Sequence, residues 1–82
     1  MNFEISWDEK ALQDLEKINL LLRKRIIKKI ENFANSGSFH QVKRVLGYEN
    51  LYRLRVGDYR VIFELGRGEI SVLKIGLRKN IY

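Results

Sequence analysis

Arg53, Arg55 and Arg60 lie within one short stretch, LYRLRVGDYRVIFE, residues 51–64, among Leu54, Val56, Val61, Ile62 and Phe63. Alternation of apolar and polar residues is the period of a half-buried strand, and Gly57-Asp58 divides the stretch as a two-residue hairpin loop would. Such a loop sets Val56 opposite Tyr59, Arg55 opposite Arg60, Leu54 opposite Val61 and Arg53 opposite Ile62. Tyr52, Leu54, Val56, Tyr59, Val61 and Phe63 then share a core face, while Arg53, Arg55, Arg60 and Glu64 share the other. Two arginines facing each other across a hairpin repel unless an anion lies between them. Guanidinium is planar, stays charged at any physiological pH and matches phosphate bidentately. Solvated sheet faces ordinarily mix both signs of charge, so arginines clustered with one acid predict phosphate binding.

The segment EISVLKIG, residues 69–76, extends this surface as a further strand. If Leu73, Ile75 and Leu77 join the core, then Lys74, Gly76 and Arg78 fall on the arginine side. The opposite register buries Ile70 and Val72. The first is preferred because it keeps Lys74 and Arg78 out of the core, where unpaired charge is costly.

Other elements must support this sheet. NFEISW, residues 2–7, alternates Phe3, Ile5 and Trp7 with polar residues as a half-buried strand. Ser6 or Asp8 then caps a helix, with Ser6 to Glu9 at capping-box spacing. Ala11, Leu12, Leu15 and Ile18 form one helical face, interrupted at Asn19. A second helix carries Leu22, Ile26, Ile27, Ile30, Phe33 and Ala34 on one side and Arg23, Lys24, Arg25, Lys28 and Lys29 on the other. That basic stripe is either a solvated face or a docking surface for nucleic-acid phosphates. NSGS, residues 35–38, ends the helix, and QVKRVLG is a short strand or an extended lead-in. The predicted layout is β-α-α-β-β-β in an α+β fold: an N-terminal strand, a helical hairpin, then a three-stranded antiparallel sheet.

Composition narrows the classes. Eighty-two residues suit a single domain over 1–82, and 45% hydrophobic content suits a folded one. There is no Cys and one His, which excludes disulfides, thiolate sites and multi-histidine metal sites. No apolar run approaches a membrane span and no signal peptide is evident, so the expected location is the cytoplasm, without membrane partners. A net charge of +6 implies an anionic partner. His40 reads as an exposed loop residue, Trp7 as core, and Glu64 as a cross-sheet partner for an arginine.

LYRLRVGDYRVIFE followed by VLKIGLRKNIY resembles the RelE/ParE superfamily of toxins, its RelE-like mRNA interferase branch in particular. The resemblance covers nearly the whole chain and implies the toxin of a type II toxin-antitoxin system. In RelE-like nucleases, basic residues of this hairpin, an Arg after the glycine of the last strand and a C-terminal Tyr form the active site. By motif position these are Arg53, Arg55, Arg60, Arg78 and Tyr82. The implied reaction is metal-independent, cofactor-free cleavage of mRNA in the ribosomal A site, the ribose 2′-OH attacking the adjacent phosphate. Arg60 and Arg78 suit stabilisation of the phosphorane, and Arg53 and Arg55 the holding of flanking phosphates. Tyr82 leads as acid/base because neighbouring guanidinium groups ease ionisation of a phenol. Lys74 and Lys79 are further candidates for RNA contact or proton transfer. Relatives often carry Lys where Arg53 or Arg55 stands, and a His where Leu77 stands. Partners implied are a cognate antitoxin, the ribosome and mRNA. Alternatives within the fold are a gyrase poison of the ParE kind and a non-catalytic binding module.

Overall fold

The computed structural model describes residues 2–79, and within them the elements run β1 (Glu4–Trp7), α1 (Glu9–Glu16), α2 (Leu20–Ser36), β2 (Val42–Arg44), β3 (Leu51–Val56), β4 (Tyr59–Leu65) and β5 (Glu69–Leu77). The strands form a single five-stranded sheet in the order β1-β5-β4-β3-β2. It is wider than the three-stranded sheet predicted, because β1 and β2 join its two edges. Pairing is antiparallel except at β1 and β5, which run parallel. The helical hairpin follows β1 and packs on one face, and the other face is left open.

Each helix buries most of the stripe its periodicity predicts, but Leu12 is exposed and Leu22 and Ile27 are only partly buried. Ala11, Leu15 and Ile18 from the first segment meet Ile26, Ile30, Phe33 and Ala34 from α2 over Leu54, Val56, Val61, Phe63, Ile70, Val72 and Ile75 of the sheet. Phe63 is fully buried, stacks on Tyr52 at 5.8 Å and tilts against Phe33 at 5.2 Å. Truncating it to Ala removes about 3–5 kcal/mol of packing. Asp8 stands at the N-cap of α1 without a side-chain cap bond. Ser6 makes no capping box: it belongs to β1, and its hydroxyl lies within hydrogen-bond distance of Glu69 Oε1 and Ser71 Oγ. Asn19, which breaks the helical pattern, caps α2 by accepting from the Leu22 N–H at 3.0 Å. Arg23 of the basic stripe turns back to donate to the carbonyls of Ile18 (2.9 Å) and Glu16 (3.4 Å), fastening the turn between helices.

The hairpin register is the predicted one, residue for residue, from Arg53↔Ile62 to Val56↔Tyr59. Gly57 takes φ +60°, as the first position of a type II′ loop requires. In β5 neither simple alternation holds. Ile62 faces Lys74 but Phe63 faces Val72, so Leu73 is an extra, bulged residue. A bulge shifts the alternation by one, so Ile70 and Val72 are buried on one side of it and Ile75 on the other. The preference for Leu73 in the core is corrected accordingly: Leu73 is only half-buried. Lys74 stays exposed, for the electrostatic reason that favoured that register. β1 stops pairing at Trp7↔Val72, which leaves the β5 edge beyond it without a strand neighbour. The buried carboxylate of Asp14 takes over there, its Oδ2 accepting from the Ile75 N–H at 2.9 Å and its Oδ1 from Lys10 at 2.6 Å.

Candidate phosphate-binding groove

Strand parity sends Lys43 of β2, Arg53 and Arg55 of β3, and Arg60 of β4 to the open face. Lys43 lies opposite Arg53, and Arg55 opposite Arg60. Just past β5, the backbone N–H of Arg78 donates to the carbonyl of Asp58 in the hairpin loop at 2.9 Å. That bond draws the end of β5 to the hairpin, and the side chains meet in a groove of about 340 Å³. Gln41, Lys43, Arg53, Arg55, Arg60 and Arg78 line it. Five are cations and none is an acid.

The sheet's carboxylates are kept away. Glu4 pairs in register with Glu69, and Glu64 with Ser71, at the far end of the open face. Glu64 is exposed beside Asn50, Arg67 and Glu69. It lines no part of the groove and makes no ion pair with a described residue, contrary to the expected partnership with an arginine. The open face is therefore polarised along the strands, acidic at one end and cationic at the hairpin end.

Arg60 is the buried member, 9% exposed. Its Nη1 donates to the carbonyls of Tyr59 (3.0 Å) and Gly57 (3.3 Å), which aims the guanidinium along the hairpin turn. Its Nε and Nη2 hydrogens make no bond to a described residue. Burial, then the neighbouring charges of Arg55, Arg78 and Arg53, lower its pKa from the ordinary guanidinium value, with Asp58 opposing. The group still carries its proton at any physiological pH, and burial and the cationic neighbours both disfavour that charged form.

Four of the predicted residues, Arg53, Arg55, Arg60 and Arg78, are thus brought together. Lys74 lies on the open face but lines a different depression, with Lys10, Asp14 and Lys17. Lys79 follows β5 in an exposed turn and is not among the groove-lining side chains. Tyr82 lies outside the described residues. His40 is exposed beside the groove residue Gln41. Two lining residues were missed. Lys43 could have been found by pairing QVKRV antiparallel with the hairpin, which places it against Arg53. Gln41 carries no sequence signal, because its place depends on an unusual backbone angle.

A family model described as the ParE toxin of type II toxin-antitoxin systems matches residues 5–82. Toxin RelE3 of Methanocaldococcus jannaschii is 37% identical over 75 residues, covering 87% of this chain and 85% of that one. The toxin–antitoxin complex RelB-RelE from Methanococcus jannaschii superposes with a TM-score of 0.78 at 34% identity over 93% of both chains. The archaeal RelE-RelB complex from Pyrococcus horikoshii shares the fold at a TM-score of 0.81 and 22% identity, over 98% of this chain and 99% of that one. A mutant of the E. coli toxin RelE in the free state does so at 0.84 and 19%, over 99% and 88%. The chain is therefore a RelE-like toxin of the RelE/ParE superfamily, within the ParE toxin family of type II toxin-antitoxin systems.

Proposed function

We propose that this toxin is a ribosome-dependent mRNA endonuclease and that the arginine groove is its active site. The observation that carries the reading is the groove itself: five cations, one of them buried, converge with no carboxylate among the described lining residues. Such a site stabilises a dianionic phosphorane more than the monoanionic diester it forms from, and that difference lowers a barrier.

In the reaction, a ribose 2′-oxygen gives up its proton and attacks the adjacent phosphorus. The bond from phosphorus to the 5′-oxygen breaks, and that oxygen takes up a proton. The products are a 2′,3′-cyclic phosphate and a 5′-hydroxyl. The nucleophile belongs to the substrate, so the protein supplies charge, position and proton transfer. Arg60, held by the hairpin carbonyls, and Arg78, held by its backbone bond, are assigned to the phosphorane oxygens. Arg53, Arg55 and Lys43 hold flanking phosphates. Tyr82 is assigned the acid/base role, which no arginine can fill because guanidinium does not release its proton. Lys74 and Lys79 serve as outlying contacts to the RNA backbone.

The partner is a cognate antitoxin, as in the RelB-RelE complexes that this chain resembles, and it silences the toxin by covering the cationic end of the open face. Of the basic helix stripe, Lys24, Arg25 and Lys28 are exposed and available to ribosomal RNA.

Because the matching family model is described as ParE, gyrase poisoning is the competing reading. Primer extension on a reporter mRNA, programmed into ribosomes or free, separates the two. Cuts confined to the A-site codon of ribosome-bound message are expected. Intact message from a folded protein that inhibits DNA gyrase would replace this reading with the other.

A further inference from the structure

Of the six described residues lining the groove, five are cationic and one, Gln41, is neutral. Gln41 is also the one non-glycine residue with positive φ among the described residues, at +63°. A left-handed backbone is strained for a side chain of this size, and a purely structural turn would be better served by glycine. Two bonds hold it. The Gln41 carbonyl accepts from the Arg55 N–H at 3.0 Å, so its backbone is tied to the arginine strand. Its side-chain Oε1 accepts from Nζ of Lys29, on α2, at 2.6 Å.

The second bond settles which way the amide faces. An ammonium group only donates, so the atom it meets is the oxygen, and Nε2 is left with two hydrogens to give. No described residue accepts from them. The groove thus holds, beside its cations, a neutral donor whose orientation is set by a lysine on another element. Phosphate recognition does not need such a group. Base recognition does, because bases differ in where they present acceptors and donors.

We propose that Gln41 reads a base of the bound RNA, its Nε2 donating to a carbonyl oxygen, with Lys29 as the positioning residue. Guanine and uracil present such an oxygen, O6 or O4, where adenine and cytosine present amino groups. The nucleotide beside Gln41 is therefore preferentially G or U. This rests on the mRNA-cleavage reading and adds to it a residue that chooses among sequences.

The test maps cleavage ends on ribosome-bound reporters carrying each of the four bases at each A-site codon position. Wild type is expected to favour G and U over A and C at one codon position. Gln41→Glu keeps an oxygen for Lys29 but replaces the donor with an acceptor, and the preference should fall about fivefold or invert, the size of one hydrogen bond. Lys29→Met frees the amide to turn over, and should weaken the preference with every groove-lining side chain still in place. Gln41→Gly suits the left-handed backbone, so it carries the test if the Glu variant folds poorly; it should lose the preference. A wild type that cuts all four bases alike, or variants that keep the wild-type profile, would overturn this inference alone. A wild type that leaves ribosome-bound mRNA intact would overturn the cleavage reading, and this inference with it.

Discussion

The Arg78 N–H and the Asp58 carbonyl are joined by a 2.9 Å hydrogen bond, so the residue that follows β5 is anchored to the loop between Arg55 and Arg60. The bond is backbone to backbone. The position of Arg78 is therefore independent of its side chain, and the charge can be removed without moving the strand.

This separation predicts a trade between stability and function. After burial, the charges of Arg55, Arg78 and Arg53 each help to lower the pKa of Arg60, so these charges repel it in the folded protein. Arg78→Ala and Arg55→Ala should each raise the melting temperature at low ionic strength while lowering mRNA cleavage. The gain should fade towards 0.5 M salt, where screening already relieves the repulsion (a Debye length of roughly 4 Å). Thermal melts across a salt series test this, and a fall in melting temperature at low salt would count against a frustrated cluster.

An oxyanion should do what the mutations do, and keep the groove intact. Because the folded-state pKa of Arg60 lies below its unfolded value, the folded protein is penalised wherever the group is protonated. That penalty is relieved only as pH rises through the lowered pKa towards the ordinary guanidinium value, far above neutrality. Between pH 6 and 9 Arg60 thus contributes no slope to stability. Added phosphate or sulfate should stabilise the protein more than chloride at equal ionic strength, by the mass-action effect of a ligand bound to the native state. In Arg60→Ala that difference between anions should shrink. Equal melting curves in phosphate and chloride would show that the groove does not select oxyanions.

Away from the groove, Asp14 is expected to be a stability residue. Its carboxylate completes the edge of β5 where β1 ends, and Asp14→Ala leaves the Ile75 N–H without its partner. The cost should be about 1–3 kcal/mol in urea denaturation. Asp14→Asn keeps an oxygen acceptor and should cost less. If both variants unfold at the wild-type midpoint, water has replaced the carboxylate and the edge is not closed by Asp14.

How much of this was legible beforehand depended on whether local spacing controlled the outcome. The Arg55↔Arg60 pairing was, because a two-residue Gly-Asp loop leaves one register open. The helix faces were, Leu12 excepted, because the apolar residues of each helix recur at one period. The register of β5 was not: its apolar residues fit either alternation, and the bulge at Leu73 that satisfies both depends on what β4 places opposite. Lys43 entered the groove only through the pairing of a three-residue strand, too short to show a period. Lys74 shares the arginine face by parity but lines another depression, because proximity within a face depends on position along the strand as well as on side. Gln41 was invisible for a different reason, since no residue pattern announces a left-handed backbone outside glycine.

The central claim is that Arg60 and Arg78 stabilise the phosphorane, and single-turnover cleavage of A-site mRNA on programmed ribosomes tests it most directly. The double variant Arg60→Ala/Arg78→Ala, shown to be folded and to bind ribosomes as wild type does, should cut more than about 100-fold more slowly at saturating protein, the cost of losing oxyanion donors. A double variant that cuts at the wild-type rate would contradict the account and move the active site away from the groove.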